Sequence, residues 1–251
     1  MRVLITRPLA AATALSARLA ALGHQALIEP LLTIVDDPEA RTRLASALED
    51  AQALLFTSSN GVTSFAVASE RRDLPAFAVG DGTAAVARQS GFARVESARG
   101  DVEALAALVE RRLKPSTGPI IHPSGHAVAG DLAGRLAQLG FTVRSVPIYH
   151  ATAADRLSAD TVGAFRAGQI DAALFFSPRT AATFVRLACA AGIEHDCARI
   201  AVVTLSAAVA SDLEGLGWRQ VVVAEAPTEK AMLKVLDGLA AEMRRSGAPN
   251  Q

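Results

Sequence analysis

Short apolar runs recur along the chain, each followed by a longer stretch in which apolar residues return at helical spacing. Val3-Leu4-Ile5 is the first such run, and Ala53-Leu54-Leu55-Phe56 is the most continuous in the first half. A short run with no polar alternation is what a strand covered on both faces requires, whereas apolar positions three and four apart mark one face of a helix. On this basis strands are predicted at 2–6, 25–29, 53–57, 76–79, 94–96, 120–122, 142–146, 172–176, 200–203 and 220–223, with an extended segment at 31–35. Helices are predicted at 9–22, 36–49, 60–68, 82–90, 102–113, 127–139, 157–166, 179–190, 207–216 and 229–244, and a disordered tail over 244–251. In the first helix Leu15, Leu19 and Leu22 lie on one stripe and Gly23 is the stop signal. Regular strand–helix alternation predicts an α/β fold with parallel sheets.

The pattern repeats. Leu15-Ser-Ala-Arg-Leu-Ala-Ala-Leu-Gly23 matches Leu132-Ala-Gly-Arg-Leu-Ala-Gln-Leu-Gly140 at an offset of 117, which also carries Pro30 to Pro147. The segment starting at Ala53 matches that starting at Ala173 (offset 120), and the segment at Ala78 matches that at Ala201 (offset 123). The chain therefore reads a b a b, with a a β-helix-β unit and b three further β-helix steps. Pairing the middle b with the second a gives an inserted domain at 36–147 and a discontinuous domain from 1–35 and 152–251. The crossings fall at 31–35 and 147–152 and are expected to form a two-stranded β-ladder. The predicted class is two similar parallel-sheet domains of Rossmann or flavodoxin-like type, one inserted in the other. A plain tandem split near residue 117 is the alternative.

Composition narrows the chemistry. The 251 residues carry 25 basic and 25 acidic side chains, so there is no basic surplus of the kind a nucleic-acid binder uses, and nucleic acid is not an expected partner. No apolar run approaches the length of a membrane span, so no membrane association is expected. The N-terminus enters a strand directly without a secretory apolar region, and a cytoplasmic location is expected. Cys189 and Cys197, eight residues apart, match neither a zinc nor a redox motif and read as small buried or semi-buried fillers in a reducing compartment.

In parallel α/β sheets ligands bind beyond the C-terminal strand ends. The segments there are small and hydroxyl-rich: Thr6-Arg7, Thr57-Ser58-Ser59-Asn60-Gly61, Gly80-Asp81-Gly82-Thr83, Pro123-Ser124-Gly125-His126, Ser177-Pro178-Arg179-Thr180, Thr204-Leu205-Ser206 and Ala226-Pro227-Thr228. Any one of them is accounted for by helix capping. Together, in two domains with facing crevices, they would present many N–H groups and hydroxyls to a polyanion. Tyr149, the single tyrosine, follows Pro147 at a crossing; it is either a cleft residue or an aromatic filling a gap in the core. Val79-Gly-Asp-Gly-Thr83 lacks the third glycine of a dinucleotide fingerprint. His122, His126 and His150 are too scattered to predict a metal site, and neither a Gly-x-Ser-x-Gly elbow nor a P-loop occurs. No metal is expected.

The chain resembles the uroporphyrinogen-III synthase family over nearly its whole length. The resemblance is carried by Leu4-Ile-Thr-Arg-Pro8, Phe56-Thr-Ser-Ser-Asn-Gly-Val62, Ala78-Val-Gly-Asp-Gly-Thr-Ala84, Gly140-Phe-Thr-Val143 leading to Val146-Pro-Ile-Tyr149, Phe175-Phe-Ser-Pro178 and Ala226-Pro-Thr228. It implies two α/β domains joined by a β-ladder and a cofactor-independent hydro-lyase. That enzyme closes the linear tetrapyrrole hydroxymethylbilane to uroporphyrinogen III with loss of water and inversion of ring D. By position it implies Tyr149 as the catalytic group at the departing hydroxyl. Ser58, Thr83 and Ser177, with Asn60 and Ser206, would contact substrate carboxylates. Ser59, Ser124, Arg7 and Arg179 join them as substrate-binding candidates by placement at strand ends. A monomer is expected, with hydroxymethylbilane as small-molecule partner and the enzyme that makes it as a candidate protein partner. The alternative is a two-domain cleft protein that binds a small anion without catalysis.

Overall fold

Ala53–Phe56 forms strand β4 with every residue buried, and its side chains alternate between faces. Leu54 and Phe56 enter one apolar cluster, with Phe65, Phe92 and Ile121; Ala53 and Leu55 enter another, with Leu105, Val109 and Leu136. A strand apolar on both sides is stable only with helices on both, which is why the run shows no polar alternation. Each fully buried Leu or Phe contributes about 1.5–3 kcal/mol relative to exposure.

The computed structural model describes residues 1–126 and 131–246. Positions 127–130 of the helix expected over 127–139, and the end of the expected disordered tail beyond 246, lie outside the described residues. The described chain separates into two compact units: Met1–Thr33 with the chain from Thr152 onward, and Ile34–Ala151. The first unit holds strands β1 (Arg2–Ile5), β2 (Gln25–Ile28), β9 (Ala172–Phe175), β10 (Ala201–Thr204) and β11 (Gln220–Val223) in the order β11-β10-β9-β1-β2. The second sheet has the order β3-β8-β7-β4-β5-β6, with β3 (Leu32–Asp36), β5 (Ala76–Ala78), β6 (Val95–Ser97), β7 (Ile120–Gly125) and β8 (Val143–Ala153). The pairs β1–β2, β1–β9, β9–β10 and β10–β11 are parallel, as are β7–β8, β7–β4, β4–β5 and β5–β6. This is the expected fold class. Among the described residues no helix is long and apolar enough to cross a membrane.

The internal repeat becomes a repeat of topology. β2-β1-β9-β10-β11 and β8-β7-β4-β5-β6 are the same doubly wound order, with the a strands on one side of the sheet and the b strands on the other. Helix α1 (Leu9–Ala21) and helix α6 (Leu132–Gln138) end 117 residues apart, at Gly23 and Gly140 with φ of +77° and +82°. A left-handed residue lets the chain leave the helix and turn back into the sheet, and glycine takes it without steric cost. Two offsets are corrected. Helix α3 (Ser59–Ala68) and helix α8 (Pro178–Ala191) are capped by Ser58 and Ser177, so this step aligns at 119 rather than 120. Helices α4 (Asp81–Gln89) and α9 (Ala207–Ser211) are preceded by Gly80 and Ser206, an offset of 126 rather than 123. Alanine-rich identity had slipped the register, and the caps restore it.

Three element boundaries also change. The helix after Asp36-Asp37-Pro38 is α2 (Ala40–Ala47), α9 stops at Ser211 rather than 216, and α10 (Glu229–Ser246) runs through the start of the predicted tail. Pro147 does not end a strand. β8 continues through it, and the register against β7 slips between Ser124 and Gly125, which pair with Pro147 and Tyr149. A proline cannot donate to the ladder, and the irregularity beside it absorbs that gap. The chain passes from one unit to the other within β3 and returns within β8. Their bonds, Asp37 N–H to Ile148 O and Ala154 N–H to Leu31 O, both 2.9 Å, run antiparallel.

Candidate active site

In a doubly wound sheet the crevice opens where the connections diverge to either side, here between the C-terminal ends of β7 and β4. Ser58 follows β4 and adopts the extended backbone of a helix N-cap (φ −152°, ψ 154°); its Oγ accepts from the Gly61 N–H at 3.1 Å. The same Oγ lies 3.2 Å from the Tyr149 hydroxyl. A Cβ on Gly61 would stand 2.9 Å from the Pro123 carbonyl oxygen, so only glycine lets α3 start this close to β7. Tyr149 is half-buried, its ring against the Phe56 and Ile148 cluster and against Gly125. The residue is thus partly core and partly site: its ring fills space while its hydroxyl points to a helix cap.

Among the other predicted residues, Ser59 and Asn60 lie in the first turn of α3, both half-buried. Thr83, in the first turn of α4, is buried at 7% exposure. Ser124 was expected on a loop, but it lies inside β7 because the strand runs on to Gly125; its Oγ is buried and has no hydrogen-bond partner among the described residues. In the first unit Ser177 caps α8, accepting from the Thr180 N–H at 3.2 Å and lying 2.9 Å from the Thr180 hydroxyl. Arg179 is exposed in the first turn of α8, and Ser206 precedes α9 without a side-chain cap bond. Arg7 donates to Glu229 at 2.9 Å and lies 4.4 Å from the Phe176 ring centroid. Burial lowers its pKa and Glu229 draws it back up. Its charge is thereby committed to the start of α10. The structure brings Ser58 and Tyr149 together in one unit, and Ser177 and Arg179 on one helix start in the other.

Two features escaped the sequence reading. Gly125 has a bare Cα facing Tyr149: a Cβ there would meet the ring at 3.0 Å and the hydroxyl at 3.3 Å. Its place in a degenerate Pro-Ser-Gly-His loop pattern gave no sign of this. The second correction concerns the histidines. His126 and His150 are not scattered; their rings stack at 3.8 Å and 19°, and their Nε2 atoms lie 2.8 and 3.8 Å from Asp37 Oδ2. His122 stays apart, buried beside Thr57 Oγ1 at 3.1 Å, its pKa lowered to about 4 by burial. Asp37 is held well below the usual carboxylate range, first by the His126 hydrogen bond, then by the Glu39 N–H and by Arg43. Of the two cysteines read as fillers only Cys197 is one, buried in the first unit's core with its thiol pushed up to about 12 by burial; Cys189 is exposed near the end of α8.

Two doubly wound α/β units, built from one duplicated strand plan, define the class: a two-domain α/β protein with small hydroxyl residues at the helix starts that follow its strands. The chain belongs to the uroporphyrinogen-III synthase HemD family, whose model matches residues 13–234. Two solved structures share the fold. A mutant uroporphyrinogen III synthase from the extremely thermophilic bacterium Thermus thermophilus is 18% identical, with 96% of this chain and 99% of that one covered and a TM-score of 0.57. Uroporphyrinogen-III synthetase from Helicobacter pylori is 17% identical, with 95% and 100% covered and a TM-score of 0.61. No curated protein sequence matches the chain.

Proposed function

We propose that this protein closes hydroxymethylbilane to uroporphyrinogen III, with loss of water and inversion of ring D. The observation that carries the reading is the family match over residues 13–234. The Tyr149–Ser58 pair at the switch point supports it at the level of residues.

The chemistry asks little of an acid. The pyrrole nitrogen lone pair of ring A pushes out the hydroxymethyl oxygen; the C–O bond breaks and, with one proton supplied, water leaves and an azafulvene remains. The substituted carbon of ring D attacks that carbon to form a spiro centre. The bond from this centre to the old bridging carbon breaks, leaving an azafulvenium on ring C; the free α-carbon of ring D, on the other side of its nitrogen, attacks that bridging carbon, and loss of its proton restores the pyrrole. The net change is one water lost. Unaided closure without inversion competes, so the protein must select which carbon attacks, and selection of this kind is positioning. Tyr149 offers its phenolic hydrogen to the departing oxygen, and Ser58 Oγ orients that hydroxyl. The N–H groups opening α3 and α4, with Ser59, Asn60 and Thr83, bind side-chain carboxylates, since a helix start favours an anion through oriented N–H dipoles. In the first unit, Ser177 with Arg179 offers a second such helix start, and Ser206 and Arg7 are its less direct members. Ser124, buried in β7 with its Oγ unpartnered among the described residues, is a less direct member of this edge. The reading includes a cytoplasmic monomer that receives the unstable bilane from the enzyme that makes it; the family resemblance supports this part.

The test is isomer analysis. Purified protein, supplied with hydroxymethylbilane by a coupled bilane-forming enzyme, should give predominantly type III uroporphyrinogen. Product that is wholly type I refutes the proposal.

A further inference from the structure

We propose that Asp37, His126 and His150 form a binding site for one borderline divalent cation of the Zn2+ class. The three come from separate segments, the residue after β3, the residue after β7 and the second half of β8, all within the second unit. Their ligand atoms lie within 4.8 Å of one another. A tetrahedral ion with bonds of about 2.0–2.2 Å needs ligand atoms about 3.3–3.5 Å apart. The two imidazole-to-carboxylate separations, 2.8 and 3.8 Å, bracket that span, and the rings, now stacked at 3.8 Å and 19°, must turn out of parallel for both Nε2 lone pairs to meet at the ion.

The surroundings are those of a supported site. The Glu39 N–H donates to Asp37 Oδ1 at 2.9 Å, which fixes the carboxylate plane and leaves Oδ2 facing the rings. The backbones are tied as well: Asp37 N–H donates to Ile148 O at 2.9 Å and His126 N–H to Tyr149 O at 3.0 Å. Outer hydrogen bonds of this kind orient ligands before an ion arrives. Both rings are close to half-exposed while the carboxylate is buried, so an ion has an entry path and water can complete its coordination. Two imidazoles with one carboxylate suit Zn2+, Co2+, Ni2+ or Cu2+ and not the all-oxygen preference of Mg2+ or Ca2+.

One group opposes the ion. Arg43 Nη2 lies 2.5 Å from Asp37 Oδ2, the oxygen the ion would use. The guanidinium has two other acceptors, Pro147 O at 2.9 Å and Glu39 Oε2 at 3.1 Å, so it can yield the carboxylate without losing all partners. Arg43 therefore tunes the affinity downward.

The test uses untagged full-length protein stripped with chelator and titrated with Zn2+ by calorimetry and with Co2+ by absorption. One ion per chain is expected, with a cobalt spectrum of nitrogen and oxygen ligation and no thiolate charge transfer. His126→Gln and His150→Gln should each weaken Zn2+ binding at least about ten-fold, since losing even an outer-shell partner costs about that much, while Arg43→Gln strengthens it. Melting of the metal-free variants at the wild-type temperature establishes that they fold. Absence of binding, thiolate ligation through Cys189, or an affinity unchanged in both histidine variants overturns the proposal. None of these readouts depends on tetrapyrrole turnover, so this proposal and the proposed function can fail separately.

Discussion

Gly125→Ala adds one methyl group where the chain passes behind Tyr149. The new Cβ would stand 3.0 Å from Cε2, 3.1 Å from Cζ and 3.3 Å from the hydroxyl oxygen. Carbon atoms rest comfortably at about 3.5–4.0 Å, so the ring must retreat by about 0.5 Å or more. The Tyr149–Ser58 bond, at 3.2 Å, is already long for two hydroxyls and would not survive that retreat. Forcing a methyl into a packed contact costs about 1–3 kcal/mol of stability. A misplacement of about 1 Å in a reacting constellation costs about a hundred-fold in rate, so a shift of half that size should lower type III formation about ten-fold. The assay is initial rate of type III product from coupled bilane, with urea unfolding in parallel to separate rate from stability. In a Tyr149→Phe background, already slowed, the same methyl should change the rate little, because neighbours acting as one unit are not additive. A stable Gly125→Ala protein with wild-type turnover refutes the placement, and so does an undiminished ten-fold loss in the Tyr149→Phe background.

Ser58→Ala should cost about 1 kcal/mol by uncapping α3 and should also slow turnover, whereas Ser58→Thr, which keeps the hydroxyl, should restore most of both; urea unfolding and initial rates check this, and a variant of full activity removes Ser58 from the site. His122 should make stability fall with acid. Its folded pKa of about 4 lies below the ordinary 6.5, so below about pH 6.5 the unfolded chain takes up a proton that the buried ring refuses. At 1.36 kcal/mol per pH unit the loss approaches about 3 kcal/mol by pH 4. Unfolding free energies of wild type and His122→Gln, compared between pH 7 and pH 4, should converge by that amount, and a constant difference across the range contradicts the assignment.

Most of the scaffold is already written in the amino-acid pattern. Runs such as Ala53–Phe56 and Ala172–Phe175 are apolar on both faces, and a parallel sheet under two helix layers is the arrangement that buries both. Gly23 and Gly140 were legible as helix stops because the left-handed turn after a helix selects glycine locally. Ser58 and Ser177 were legible as caps, and the Tyr149 neighbourhood as special, since capping and the lone tyrosine are one-dimensional signals. Other features depend on pairs far apart in the chain. The repeat offsets slipped by one and three residues because alanine and leucine identities are cheap to match, while the caps that fix register belong to folded helix ends. Pro147 looked like a terminator because a missing N–H usually ends a ladder, yet the slip in register beside it lets β8 run on. Ser124 looked like a loop residue for the same local reason and is buried in β7. Asp37 and His126 are 89 residues apart, and no spacing rule joins them. They meet because β3 and β7 flank β8 and their ends fall at one edge of the sheet. Local chemistry sets where strands and helices begin; which side chains share a site is set by strand order, and strand order is a property of the folded sheet.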